Sequence, residues 1–188
     1  MGAAVDCEAI GPGLLGQPVN AATSLVFVFV AVIVLLRRSD GWVAAGLAGT
    51  GVGSFLFHGP LAPGGEWIHD VTLAWLILVV GLRVRGMTDV GAPIGLAVIG
   101  PVFVVAPQFA DPLTVTLLIL VVFVLLADRR DRATLLPLGL LGLSAVIGRL
   151  GATGAPLCDP ESWLQTHGLW HIGAAVAVGW WASARRVA

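Results

Sequence analysis

The chain has 188 residues, 57% of them hydrophobic and only 11% charged, with a mean hydropathy of +0.96 and a formal charge of −1. A soluble domain is nearer a quarter charged, so this composition points to a membrane protein with little mass outside the bilayer. The near-zero charge gives no footprint for nucleic acid.

Taken in order, the sequence divides into seven apolar segments near the ~20 residues that a spanning helix needs: 20–36, 41–58, 67–84, 91–106, 112–127, 133–149 and 163–182. The first 18 residues are rich in glycine and short of basic residues, unlike a removable signal peptide. Arg37–Gly41 ends the first segment, His58-Gly59-Pro60 ends the second, and Pro63-Gly64-Gly65 fills the following loop. Asp111-Pro112 reads as an N-cap acid with proline at the first helical position. Pro101 and Pro137 lie inside the fourth and sixth segments and read as helix kinks. The expectation is an all-α, seven-transmembrane helix bundle forming a single domain over 1–188.

All ten basic residues are arginine. Arg37, Arg38, Arg83, Arg85, Arg129, Arg130, Arg132, Arg185 and Arg186 fall on one side of a seven-span path, and only Arg149 on the other. The positive-inside rule makes the first side cytoplasmic, the N-terminus external and the C-terminus cytoplasmic. Cys7 and Cys158 then both lie outside, where an oxidising compartment permits a disulfide.

Ionisable groups within spans are costly and need an explanation. His167 and His171 stand four apart on the last segment, so one helical face carries both imidazoles. The same path brings His58 and Ser54 from the second segment, and Asp70 from the third, to that depth in the outer leaflet. His58, His167 and His171 make three neutral nitrogen ligands with a fourth position open, as in catalytic zinc sites, where the metal makes water acidic enough to react near neutral pH. Asp70 is placed to carry protons, and Ser54 to hydrogen-bond a carbonyl or the oxyanion that develops from it. His69 points away from Asp70 on a helix and reads as an interfacial residue. Trp67, Trp163, Trp170, Trp180 and Trp181 read as interfacial anchors.

As a set these residues resemble the CREST superfamily of membrane hydrolases, and within it most closely the alkaline ceramidases. The resemblance covers the full length in layout. It is carried by Cys7-Glu8, by Gly53-Ser54-Phe55-Leu56-Phe57-His58, by Asp70, by the Cys158 segment and by Gln165-Thr166-His167-Gly168-Leu169-Trp170-His171. It implies zinc on His58, His167 and His171, catalytic roles for Ser54 and Asp70, and a bridge from Cys7 to Cys158. The implied reaction is hydrolysis of the amide bond of a ceramide or another acyl lipid to a fatty acid and an amine lipid. The family's calcium site would fall on Glu8, Asp6 and Gln17, but Asp6 is displaced next to Cys7, Ala9-Ile10 replaces a polar pair, and Gln17 stands where an acid is expected. Thr23-Ser24 replaces the usual Ser-Asn. The Gly-, Ala-, Val- and Arg-rich composition looks bacterial, which suggests a plasma-membrane location. Two other classes remain: a receptor-like zinc protein that binds lipid without turnover and makes cytoplasmic contacts through Arg129–Arg132, and a metal or proton transporter, which would carry polar residues on through the inner leaflet.

Overall fold

The computed structural model describes residues 3–128 and 130–184; Arg129, Arg185 and Arg186 lie outside them. Seven α-helices run through the described residues: α1 Pro18–Leu36, α2 Gly41–His58, α3 Gly65–Val84, α4 Thr88–Val105, α5 Ala110–Asp128, α6 Arg132–Leu150 and α7 Thr166–Ala184. Short 3-10 turns at Ala3–Asp6 and Pro107–Phe109 precede α1 and α5. Five helices, α1 and α3 to α6, are long and apolar enough to cross a membrane, the mark of a multi-pass membrane protein. The seven expected spans are thus seven helices, but α2 and α7 fall short as spans on composition. They spend positions on Gly46, Gly49, Gly51, Gly53, Ser54 and His58, and on His167, Gly168 and His171.

Local chemistry explains where the helices begin. Asp40 caps α2 by accepting from Val43 N at 3.0 Å, and Asp131 caps α6 by accepting from Thr134 N at 3.0 Å. The start of α1 takes its cap from a distant residue: the Glu8 carboxylate accepts from Val19 N at 2.7 Å and Asn20 N at 2.8 Å. Several helices start two or three residues from expectation: α1, α3 and α4 begin early, at Pro18, Gly65 and Thr88, and two others depart for an identifiable reason. Helix α7 starts at Thr166, not near Trp163, because the Gln165 amide donates to the carbonyls of Asp159 and Ser162 and holds that stretch in the loop. Helix α5 starts at Ala110, directly after the 3-10 turn, so Asp111 sits within its first turn and not at the cap.

The helices pack as a ring, α1–α2–α3–α5 on one side and α6–α7 closing back onto α1, with α4 against the outside of α3. The ring is nearly open where α5 and α6 barely touch. Its core is Phe27, Val34, Val43, Leu47, Leu76 and Val79, with Ala175 and Ala182 from α7. At one end Arg83 binds Asp40 at 3.2 Å, donates to Ala182 O at 3.3 Å and lies 5.2 Å over the Trp181 ring, joining α2, α3 and α7. Trp181 is therefore buried at a helix junction and is not an interfacial anchor. At the other end the Cys7–Cys158 disulfide forms as expected and ties the N-terminal segment to the connection that feeds α7. Thr153 Oγ1 donates to Ala4 O at 2.6 Å and accepts from Cys7 N at 3.1 Å, reinforcing the same tie.

Close approach of α2 and α3 depends on Gly46, Gly49 and Gly53 of α2, and among these is tightest against backbone at Gly53. A Cβ at Gly53 would stand 2.8 Å from His69 N, a backbone atom that cannot move aside alone. Gly53→Ala is expected to cost about 1–3 kcal/mol by overpacking, read as a lowered melting temperature in detergent. An unchanged melt would show that the helices part freely at this point.

A buried three-histidine centre at the disulfide end

The disulfide end gathers the C-terminus of α2, the N-termini of α1 and α7, and the N-terminal segment. His58 from α2 and His167 and His171 from α7 converge there, with ring centroids 5.0 Å (His58–His167), 5.3 Å (His58–His171) and 4.5 Å (His167–His171) apart. Their donor nitrogens lie within 4.8 Å of one another, the one convergent group of three His, Cys, Asp or Glu found among the described residues. His58 and His171 are fully buried.

The hydrogen bonds decide which nitrogen each ring presents. Gln17 Nε2 donates to Ala3 O at 2.8 Å and Glu8 O at 2.7 Å, so its Oε1 is the atom 2.6 Å from His58 Nδ1. An amide oxygen only accepts; His58 therefore carries its proton on Nδ1 and leaves Nε2 bare. Thr23 Oγ1 donates to Val19 O at 2.9 Å and Asn20 O at 3.1 Å, leaving it to accept from His171 Nδ1 at 3.1 Å. The Asp6 carboxylate lies 3.2 Å from His167 Nδ1. Three different groups thus occupy the three Nδ1 atoms, which leaves the Nε2 atoms for ligation. His58 Nε2 and His167 Nε2 are buried with no hydrogen-bond partner among the described residues. Buried lone pairs without partners are expensive unless something fills the space between them, and neutral imidazoles oriented by outer hydrogen bonds are what a divalent metal requires. The residues fit a metal ion.

His171 Nε2 has one neighbour, Ser54 Oγ at 3.3 Å, and Ser54 Oγ is also 2.8 Å from Ser24 Oγ. Ser24 gives its own proton to Asn20 O at 2.7 Å, so the Ser54 proton has a second acceptor when His171 Nε2 is otherwise engaged. Ser54 is fully buried behind the histidines and is not part of the cavity wall described next.

A cavity of about 1270 Å³ adjoins the cluster, and His167 belongs to both. Its walls combine Trp67, Phe103, Leu118 and Trp170 with Asp6, His69, Asp70 and Arg149. Asp70 is thus brought to the cavity, one quarter exposed, with Oδ1 accepting from His69 Nδ1 at 2.9 Å. The helical argument that set His69 apart from Asp70 fails, because a ring and a carboxylate on adjacent residues can swing together over the helix surface. The His69 ring also stacks on Phe57 at 5.6 Å. Burial pushes the Asp6 carboxyl up to about 6; His69 pulls it down, while Asp111 and Glu66 push it further up.

The residues expected from the calcium pattern have separate tasks here. Glu8 caps α1, Gln17 holds His58, and Asp6 faces His167. Sequence reasoning missed Thr23 as a partner of His171, Ser24 as the partner of Ser54, and the first-turn Asn20 beside them, whose buried side-chain amide has no partner among the described residues. A signal was present, since Asn20, Thr23 and Ser24 are the polar i, i+3, i+4 face of an otherwise apolar segment. No protein-family model, curated protein or solved structure matches this chain.

Proposed function

We propose that this chain is an intramembrane, zinc-dependent amide hydrolase of the CREST superfamily, nearest its alkaline ceramidase branch. In this reading it cleaves ceramide or a similar N-acyl lipid to a fatty acid and an amine lipid. The observation that carries the proposal is the set of three imidazoles with every Nδ1 held by a partner and one nitrogen from each ring within 4.8 Å of the others. His58, His167 and His171 would hold the ion. When bound, zinc supplies a Lewis acid for the carbonyl and a nucleophile at neutral pH.

The chain's own residues do the rest. Gln17, Thr23 and Asp6 hold the three rings in the ligating tautomer. Asp70, on the cavity wall and held by His69, takes a proton from the attacking water and returns it to the leaving amine. Ser54 donates its hydroxyl to an oxygen that enters beside His171, with Ser24 as the resting acceptor. Trp67, Phe103, Leu118 and Trp170 give the cavity an apolar lining for an acyl chain, and the weak α5–α6 contact suits lateral entry from the bilayer. We place all seven helices across the membrane, with the disulfide end outside and the Arg83 end cytoplasmic, in keeping with a bacterial plasma-membrane protein.

Asp70→Asn tests the assignment. The variant should keep stoichiometric zinc while fatty-acid release from N-acyl lipids falls at least about 100-fold, the lower bound for a lost general acid–base group. Full activity in Asp70→Asn would remove Asp70 from the mechanism. Zinc and lipid bound by the wild type without turnover of any N-acyl lipid would instead favour a receptor-like protein.

A further inference from the structure

Two charged residues on the cavity wall are left over once the centre is accounted for. The Asp6 carboxylate faces His167, Asp70 is held by His69, and Glu66 also has a partner. Asp111, in the first turn of α5, and Arg149, in the last turn of α6, both line the cavity. Both are exposed, and neither makes a hydrogen bond or ion pair among the described residues, to each other or to anything else. They stand on the two helices that barely touch. A carboxylate and a guanidinium thus stand open in one cavity, each with its charge free for a ligand.

Resting on the amide-hydrolase reading, we propose that Asp111 and Arg149 select an acyl lipid with a zwitterionic head, an N-acylated amino acid carrying one ammonium and one carboxylate. Arg149 presents a planar fork that matches a carboxylate, and Asp111 accepts from the ammonium. The head is a carboxylate and not a phosphate because the cavity holds one arginine among four acids, Asp6, Glu66, Asp70 and Asp111. That lining tolerates a single negative charge and repels a second. A purely anionic head leaves Asp111 unanswered, and a neutral head leaves both charges unanswered.

The test is a set of dodecanoyl amides that differ only in the head: Nα-dodecanoyl-lysine, N-dodecanoylglycine, N-dodecanoyl-putrescine and N-dodecanoylethanolamine. Binding to protein in nanodiscs, stripped of metal with a chelator so that nothing turns over, is followed by tryptophan fluorescence, because Trp67 and Trp170 line the cavity. The lysine amide should bind roughly tenfold more tightly than any of the other three, the scale of one charge-assisted hydrogen bond. In Arg149→Gln its advantage over the putrescine amide should vanish, and in Asp111→Asn its advantage over the glycine amide. Comparing lipids within one variant removes any general loss of folding from the result. Equal affinities for all four amides in the wild type, or ratios unchanged in both variants, would overturn the proposal. Fatty-acid release from the metal-loaded wild type is measured in parallel. Selective binding without release would leave the selection intact and sink the hydrolase; release without selectivity would do the reverse.

Discussion

Replacing His58 with alanine should abolish zinc binding at the proposed three-histidine site. The side chain is fully buried, and its Nε2 is one of two imidazole nitrogens left without a partner at the convergence point. The substitution leaves two nitrogens on α7, too few to hold a divalent ion against water in a site built for three. Zinc affinity should fall by more than the 10–100-fold that loss of an outer partner costs, and metal analysis of the purified variant should give substoichiometric zinc. The response of the fold to chelator should separate this role from packing. The wild-type apoprotein carries the cost of unpaired buried nitrogens, so chelator should lower the wild-type melting temperature and leave that of His58→Ala unchanged. Equal zinc content in the two proteins would show that the histidines are packing residues. An equal response to chelator would remove the link between the ion and the fold.

The parts of this molecule that could be read in the sequence are those with a period. Helix α2 spans Gly41–His58 as expected, because Asp40 caps it and Gly59-Pro60 cannot continue it. The histidine cluster was legible because His167 and His171 share a face, and an alternating helical path puts His58 at the same end. The disulfide followed from the same alternation. What holds the histidines was not legible. Gln17 and Asp6 come from a segment without period, pinned by the disulfide and by Glu8 over the start of α1, and no spacing rule links residue 17 to residue 58. The opening between α5 and α6 was equally hidden, since both helices are apolar all round and hydropathy does not say which neighbour they lack. Trp181 was misplaced for a related reason. Its position near a helix end suggests lipid headgroups, but the guanidinium that covers it belongs to Arg83 of another helix.

Gln17 is the residue whose expected role changed most, and two substitutions separate what it does. Its oxygen holds His58 Nδ1–H at 2.6 Å, and its nitrogen bonds the carbonyls of Ala3 and Glu8, all in a fully buried setting. Gln17→Leu has similar volume but removes both functions. His58 loses its orienting acceptor, so zinc affinity should drop 10–100-fold, and two carbonyls and one ring N–H lose their partner, each at a cost of about 1–3 kcal/mol where water cannot reach them. Gln17→Glu keeps an oxygen for His58 but turns the second oxygen toward Ala3 O and Glu8 O, where lone pairs face lone pairs. Zinc affinity should stay within about the tenfold lower edge of the outer-partner range, while the melting temperature falls as it does in the leucine variant. A glutamate variant that loses zinc as completely as leucine would mean that the N-terminal tie, and not the orientation of His58, is what the metal depends on. Asp6 and the disulfide would then carry the role assigned to Gln17, since both are fixed by that same segment.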